Sequence, residues 1–216
     1  MLQPGDRVIW RYGAWDDPRN IPWEDLPDSF VLKCNHASGF NILCQDKSML
    51  DVNGATATLQ GWMNKDYWRF LAEVQYRTIE KRVIAERYLG DGTPLTDYKL
   101  YCFNGEPLYI LACVGRGEEK KPAFYFFDPS WNYCGLTRDS FSAPKGFTLP
   151  RPENLDAMLS CARTLSEPFP FVRADFYDVD GKLYFGELTF TPAAALDTAR
   201  LPETDRHFGE LLRLDA

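Results

Sequence analysis

The sequence predicts an α+β protein built mainly from antiparallel hairpins, and three observations predict it. Asn104-Gly105 separates the runs Asp97–Phe103 and Leu108–Val114, a two-residue hairpin signal of the strongest kind. Asp180-Gly181 lies between a second pair of runs, Val172–Val179 and Leu183–Phe190. Helical periodicity is clearest in one stretch, Asn154–Leu165, with apolar residues at 155, 158, 159, 162 and 165. Strands that follow each other through tight turns, without regular intervening helices, disfavour a doubly wound parallel sheet.

In chain order, the first thirty residues are rich in Trp, Pro and Asp, and Asp16-Asp17-Pro18 and Leu26-Pro27-Asp28 read as turns. Phe30–Cys34 is a short apolar strand, Asn35–Gly39 a polar loop, and Phe40–Cys44 a second strand. Asp51 can cap a helix running towards Lys65, and more helix is expected around Tyr67–Tyr76. Arg82–Leu89 reads as a strand that Gly90-Asp91-Gly92 ends. Phe124–Phe127 and Asn132–Leu136 form a hairpin around Asp128-Pro129, Thr137–Pro152 a loop, and Phe208–Leu212 a short helix.

The chain has 216 residues, 45% hydrophobic and 15% aromatic, enough for one sizeable domain or two lobes. A formal net charge of −7 argues against nonspecific binding to nucleic acid or to an acidic membrane. The six cysteines show no CxxC pair, so free thiols in a reducing cytosol are expected. The start, Met1-Leu2-Gln3-Pro4-Gly5-Asp6, has no basic-then-apolar leader, and no apolar stretch approaches the length of a membrane span. A soluble cytoplasmic protein is expected, and a homo-oligomer is compatible with the sequence.

The most informative stretch is Phe171–Phe190. With a three-residue loop at Val179-Asp180-Gly181, cross-strand partners have numbers summing to 360, so Asp175 faces Phe185 and Arg173 faces Glu187. Arg173, Asp175, Tyr177, Glu187 and Thr189 then share one face. Val172, Ala174, Phe176, Tyr184, Gly186, Leu188 and Phe190 share the other. A two-residue loop would place Asp175 and Glu187 on opposite faces. Two carboxylates beside an arginine suit Mg²⁺ and a polyphosphate, whereas a plain solvated sheet face is the alternative.

Other residues ask for a reason. Lys33 interrupts an apolar strand, where an ammonium must reach water, a partner or a ligand. The loop after it, Asn35-His36-Ala37-Ser38-Gly39-Phe40-Asn41, could offer backbone N–H groups to phosphate. His36 and His207 read most simply as structural. Glu86 is either an edge-strand carboxylate or a contact to base or ribose, and Lys99 is ordinarily a surface lysine.

In this order the pieces resemble the TupA-like branch of the ATP-grasp proteins. The resemblance rests on Leu26–His36, Ser38-Gly39 with Asn41-Ile42, Ile84-Ala85-Glu86 with Tyr88-Leu89, and Asp97-Tyr98-Lys99 with Phe103-Asn104-Gly105. Phe169–Arg173 with Asp175, and Gly181-Lys182 with Tyr184–Pro192, complete it. It implies an ATP-grasp fold: two α+β lobes, about 28–90 and about 91–216, holding nucleotide between them. It implies that Lys33 contacts ATP phosphates, that the Ser38-Gly39 loop closes over them, and that His36 and Asn41 belong to the nucleotide-binding set. Glu86, Tyr88 and Leu89 would bind the adenosine part and Lys99 a phosphate. Asp175, Glu187 and Thr189 would hold Mg²⁺, with Arg173 and Lys99 at the transferring phosphoryl group. The implied reaction joins a carboxylate to an amine through an acyl phosphate, with an amino acid and a uronic acid as candidate substrates in cell-surface polysaccharide synthesis. A non-catalytic nucleotide-binding protein and a nucleotide-sugar glycosyltransferase are the rival readings. The sequence departs from the family pattern in its glycine-poor loop, in Ala193-Ala194-Ala195 after Pro192, and in a short lead-in before Lys33.

Overall fold

The computed structural model describes residues 8–115 and 121–214. The chain start, Met1–Asp6, in which no leader was read, lies outside the described residues. The described residues divide into two compact units, one of Ile9–Gly92 and one that joins Val8 to the chain from Thr93 onward.

The unit Ile9–Gly92 carries a four-stranded antiparallel sheet of β1 (Arg11–Trp15), β2 (Phe30–Cys34), β3 (Asn41–Cys44) and β4 (Val83–Arg87), in the order β1-β4-β2-β3. Alternation in β2 sends Phe30, Leu32 and Cys34 into the core, against Leu59 of α1 (Val52–Met63). Asp51 caps that helix as expected, accepting from Gly54 N at 3.0 Å. Its far end is closed by Lys81, whose ammonium donates to the carbonyls of Met63 and Lys65 at 3.1 and 2.9 Å. The helix expected over Tyr67–Tyr76 is broken. Only α2 (Trp68–Leu71) is α-helical, Ala72 turns left-handed at φ 55°, and a 3₁₀ turn follows at Val74–Thr78. β1 was not expected, because its Gly13 and a register irregularity beside it blur the alternation.

The second unit carries a six-stranded antiparallel sheet in the order β10-β9-β5-β6-β7-β8. Its strands are β5 (Asp97–Phe103), β6 (Glu106–Val114), β7 (Ala123–Phe127), β8 (Tyr133–Cys134), β9 (Phe171–Val179) and β10 (Lys182–Thr189). Asn104-Gly105 makes the first hairpin, with both residues at positive φ (51° and 84°), as a type I′ turn requires. One sheet face, through Leu100, Ile110, Ala112, Val172, Ala174 and Phe176, packs on Met158 and Ala162 of α3 (Leu155–Ser166). The opposite face presents Tyr101, Phe103, Leu111 and Phe126 to Phe208 of α4 (Pro202–Leu211). α4 is longer than the Phe208–Leu212 helix expected, because Pro202 occupies its first turn, where a missing N–H is harmless. Thr137–Pro152, expected as loop, contains one 3₁₀ turn, Arg138–Phe141. No helix of the described residues is long and apolar enough to cross a membrane.

Candidate active site

The register of the β9–β10 hairpin differs from the expected one. The loop is the two-residue turn Asp180-Gly181, at φ 52° and 68°, and pairing begins with Lys182 opposite Val179. Left uninterrupted, that register would have put Glu187 on the wrong face. A bulge at Gly186 restores it, so that Glu187 pairs with Asp175 and Thr189 with Arg173. The common face of the charged residues therefore stands, reached through a bulge rather than a longer loop. Below the bulge the assignment changes: Tyr184 pairs with Tyr177, while Phe185 pairs with Phe176 and joins the core.

Gly186 is what the bulge needs. A Cβ there would lie 3.2 Å from the Asp175 carbonyl oxygen and 3.4 Å from the Tyr177 ring. Gly186→Val should destabilise the unit by about 1–3 kcal/mol, through strain against backbone that cannot yield. Gly61→Ala, at a helical site with nothing within 4 Å of the added Cβ, should instead stabilise by about 0.5–1 kcal/mol. Urea unfolding of both variants checks the contrast.

Across three strands the charged side chains form a row. Glu187 of β10 faces Asp175 of β9, and Asp175 faces Lys99 of β5. In the next row Thr189 faces Arg173, which faces Tyr101. Arg173 grips Asp175 with two bonds of 2.7 Å, from Nε to Oδ1 and from Nη2 to Oδ2. Its Nη2 also donates to Thr189 Oγ1 at 2.9 Å, and lies 3.4 Å from Glu187 Oε1. Thr189 Oγ1 in turn donates to Glu187 Oε1 at 3.0 Å. Lys99 Nζ is 2.5 Å from Asp175 Oδ2 and 2.7 Å from Asp97 Oδ2.

Burial separates this network from an ordinary solvated face. Asp97, Lys99, Asp175 and Thr189 are all buried, at 2, 7, 3 and 7% exposure, whereas the Glu187 side chain is 55% exposed. Burial by itself would lower the pKa of Arg173, but the charge and hydrogen bonds of Asp175 outweigh it and raise the value. Burial also raises that of Tyr101. Lys99, expected at the surface, is thus a paired interior lysine. Asp97 carries no signal of its own in the sequence, although Asp97-x-Lys99 within one strand puts both side chains on one face.

The other expected residues lie in the unit Ile9–Gly92. Lys33 and Glu86 form an ion pair on the sheet face opposite the core. Asn41 stands opposite Lys33 in register and is exposed. Tyr88 accepts a 2.9 Å bond from Gln45 Nε2, and with Leu89 follows the end of β4, half-buried. The loop after β2 is pinned at both ends. Asn35 donates to Glu80 O and accepts from Arg82 N, and Phe40 stacks on Trp62 at 5.1 Å. Only Ala37, Ser38 and Gly39 form its tip, with Ser38 and Gly39 exposed and Gly39 at φ 77°. His36, placed by resemblance among the nucleotide-binding residues, turns inward instead. It is 1% exposed, with Nε2 3.3 Å from the Trp62 carbonyl, and burial lowers its pKa.

Asp175, Glu187 and Thr189 are hard oxygen donors of the kind Mg²⁺ takes, one or two carboxylates with phosphate oxygens completing the shell. Among the described residues no three His, Cys, Asp or Glu side chains converge as a complete metal cage. The donor set fits a cation shared with a phosphate, provided that Asp175 exchanges its present partners.

Two α+β units built on antiparallel sheets, one of them bearing this charged hairpin, define an ATP-grasp fold. The D-alanine–D-alanine ligase from Bacillus anthracis, solved with ATP, is similar at a TM-score of 0.54 and 14% identity over 95% of this chain and 56% of the ligase. The chain belongs to the TupA-like ATP-grasp family, whose profile matches residues 3–213. The Helicobacter pylori D-alanine–D-alanine ligase also aligns, at a TM-score of 0.46 and 12% identity over 97% of this chain and 57% of that one. So does the ATP-grasp ligase PsnB with its minimal precursor, at 0.45 and 11% over 97% and 51%. The chain thus spans little more than half the length of these structures. No curated protein matches it.

Proposed function

We propose that the chain forms the nucleotide-binding part of an ATP- and Mg²⁺-dependent carboxylate–amine ligase. The observation that carries the reading is the row Glu187–Asp175–Lys99 with Arg173 beside it, in which Asp175, Lys99 and the adjoining Asp97 are buried while Glu187 is exposed. A sheet face serving only solubility has no reason to bury two cations and two carboxylates, since their desolvation costs several kcal/mol per ion. ATP supplies the phosphoryl group that converts a carboxylate into an acyl phosphate, from which an amine displaces phosphate, and Mg²⁺ spreads the phosphate charge.

The chain's own residues do the positioning. Asp175, Glu187 and Thr189 hold the metal, and Arg173 and Lys99 offset charge on the transferring group. Lys33 and the backbone of the Ser38-Gly39 tip hold phosphates, and Glu86 with Tyr88 and Leu89 holds the adenosine. Both ion pairs, Lys33–Glu86 and Arg173–Asp175, keep these cations occupied until phosphate replaces the carboxylate. We further propose that the substrates are an amino acid and a second amino acid or uronic acid of a cell-surface polymer, as the resemblance to the TupA-like branch implies. The pinned, single-glycine tip gives the non-catalytic reading its one specific support.

Hydroxylamine intercepts acyl phosphates as hydroxamates. With ATP, Mg²⁺ and a panel of amino acids and uronic acids, we expect hydroxamate equal to the ADP released, dependent on one class of carboxylate. ADP released without any carboxylate requirement, or UDP released from a nucleotide sugar, would contradict the ligase reading. Nucleotide binding without turnover on any member of the panel would favour the non-catalytic one.

A further inference from the structure

Asp97 lies two residues before Lys99 on the same strand face, and one ammonium serves two buried carboxylates, at 2.7 Å from Asp97 and 2.5 Å from Asp175. Among the described residues, the buried part of the network sets two carboxylates, Asp97 and Asp175, against the two cations Lys99 and Arg173, and Glu187 stands exposed at its edge. Such a cluster can exchange partners, with Asp175 and Glu187 turning to a divalent cation. At the exchange Lys99 would lose its bond to Asp175 while still buried, and its other cross-strand neighbour, Leu111, is apolar. A buried ammonium stripped of its partner is strongly unfavourable.

We propose that Asp97 is a positioning residue: it keeps Lys99 paired and in place, and so releases Asp175 to the metal. The inference rests on the ligase reading. Without Asp97, Asp175 becomes the sole carboxylate of Lys99, and Mg²⁺ must compete against an undivided ion pair.

The test is thermal unfolding of the full chain at fixed ADP while Mg²⁺ is titrated, read as the Mg²⁺ concentration giving half of the stabilisation. For Asp97→Asn we expect that concentration to rise about tenfold, the equivalent of one charged hydrogen bond. A merely structural role would lower the melting temperature at every Mg²⁺ concentration and leave the half-point alone. The same substitution is also made in a Lys99→Gln background, which keeps the question open should Asp97→Asn fail to fold. With the ammonium gone, it should move the half-point less than about twofold. An unchanged half-point in Asp97→Asn, or a tenfold shift in the Lys99→Gln background, overturns the inference and leaves the ligase reading intact. A wild-type chain showing no Mg²⁺-dependent stabilisation by ADP overturns both.

Discussion

Arg173→Met is expected to remove about 3–5 kcal/mol of stability, the effect of breaking a buried pair and leaving its carboxylate behind. Asp175, 3% exposed, would lose both 2.7 Å bonds and share with Asp97 the single ammonium of Lys99. Thr189 would lose its 2.9 Å donor as well. Against a typical total of about 5–15 kcal/mol, such a loss brings the unit close to unfolding at ambient temperature. Arg173→Lys should recover part of the stability, because it restores the charge, but not the two-point grip on Asp175. In any variant that folds, ATP turnover should fall on the order of a thousandfold, as when a charge-stabilising arginine leaves a phosphoryl-transfer site. Urea unfolding read beside ADP release separates the two effects. A stable Arg173→Met chain with full turnover would show that the network is ornamental.

Glu187→Gln should behave in the opposite way. Its side chain is 55% exposed and holds only the 3.0 Å bond from Thr189 and a long contact to Arg173. Stability should therefore change by less than about 0.5 kcal/mol. Apparent Mg²⁺ affinity in the presence of nucleotide should fall at least about a hundredfold, since even outer-sphere partners of a metal are worth ten- to a hundredfold. One substitution thus strikes fold and site together and the other the site alone, because burial differs across the same network.

How far the sequence disclosed this arrangement depends on which physical signal each part carries. The hairpin turns were legible, because Asn104-Gly105 and Asp180-Gly181 supply the positive φ that type I′ turns require. α3 was legible from its apolar stripe, realised as Leu155, Met158, Leu159 and Ala162 in the core. The common face of Asp175 and Glu187 was reached with the wrong loop length. The Gly186 bulge that corrects it leaves no periodic trace, since one inserted glycine resembles one more core position. β1 was hidden by its Trp- and Gly-rich composition, and most of α4 by Pro202, which reads as a breaker until its place in the first turn is known. Partnership was least legible. Nothing in Lys99 alone says that it is buried, and only its register against Asp175, set by β5 and β9 lying side by side, makes it part of a site.

The most direct measurement is thermal unfolding of wild type and Glu187→Gln with ATP, ADP and UDP-sugars, each with and without Mg²⁺. A ligand that binds only the native state adds about 2.7 kcal/mol at a hundred times its dissociation constant. The ATP-grasp ligase account predicts stabilisation by ATP and ADP that depends on Mg²⁺ and is largely lost in Glu187→Gln. Stabilisation by UDP-sugars alone, or an ATP effect that the variant keeps unchanged, would contradict it.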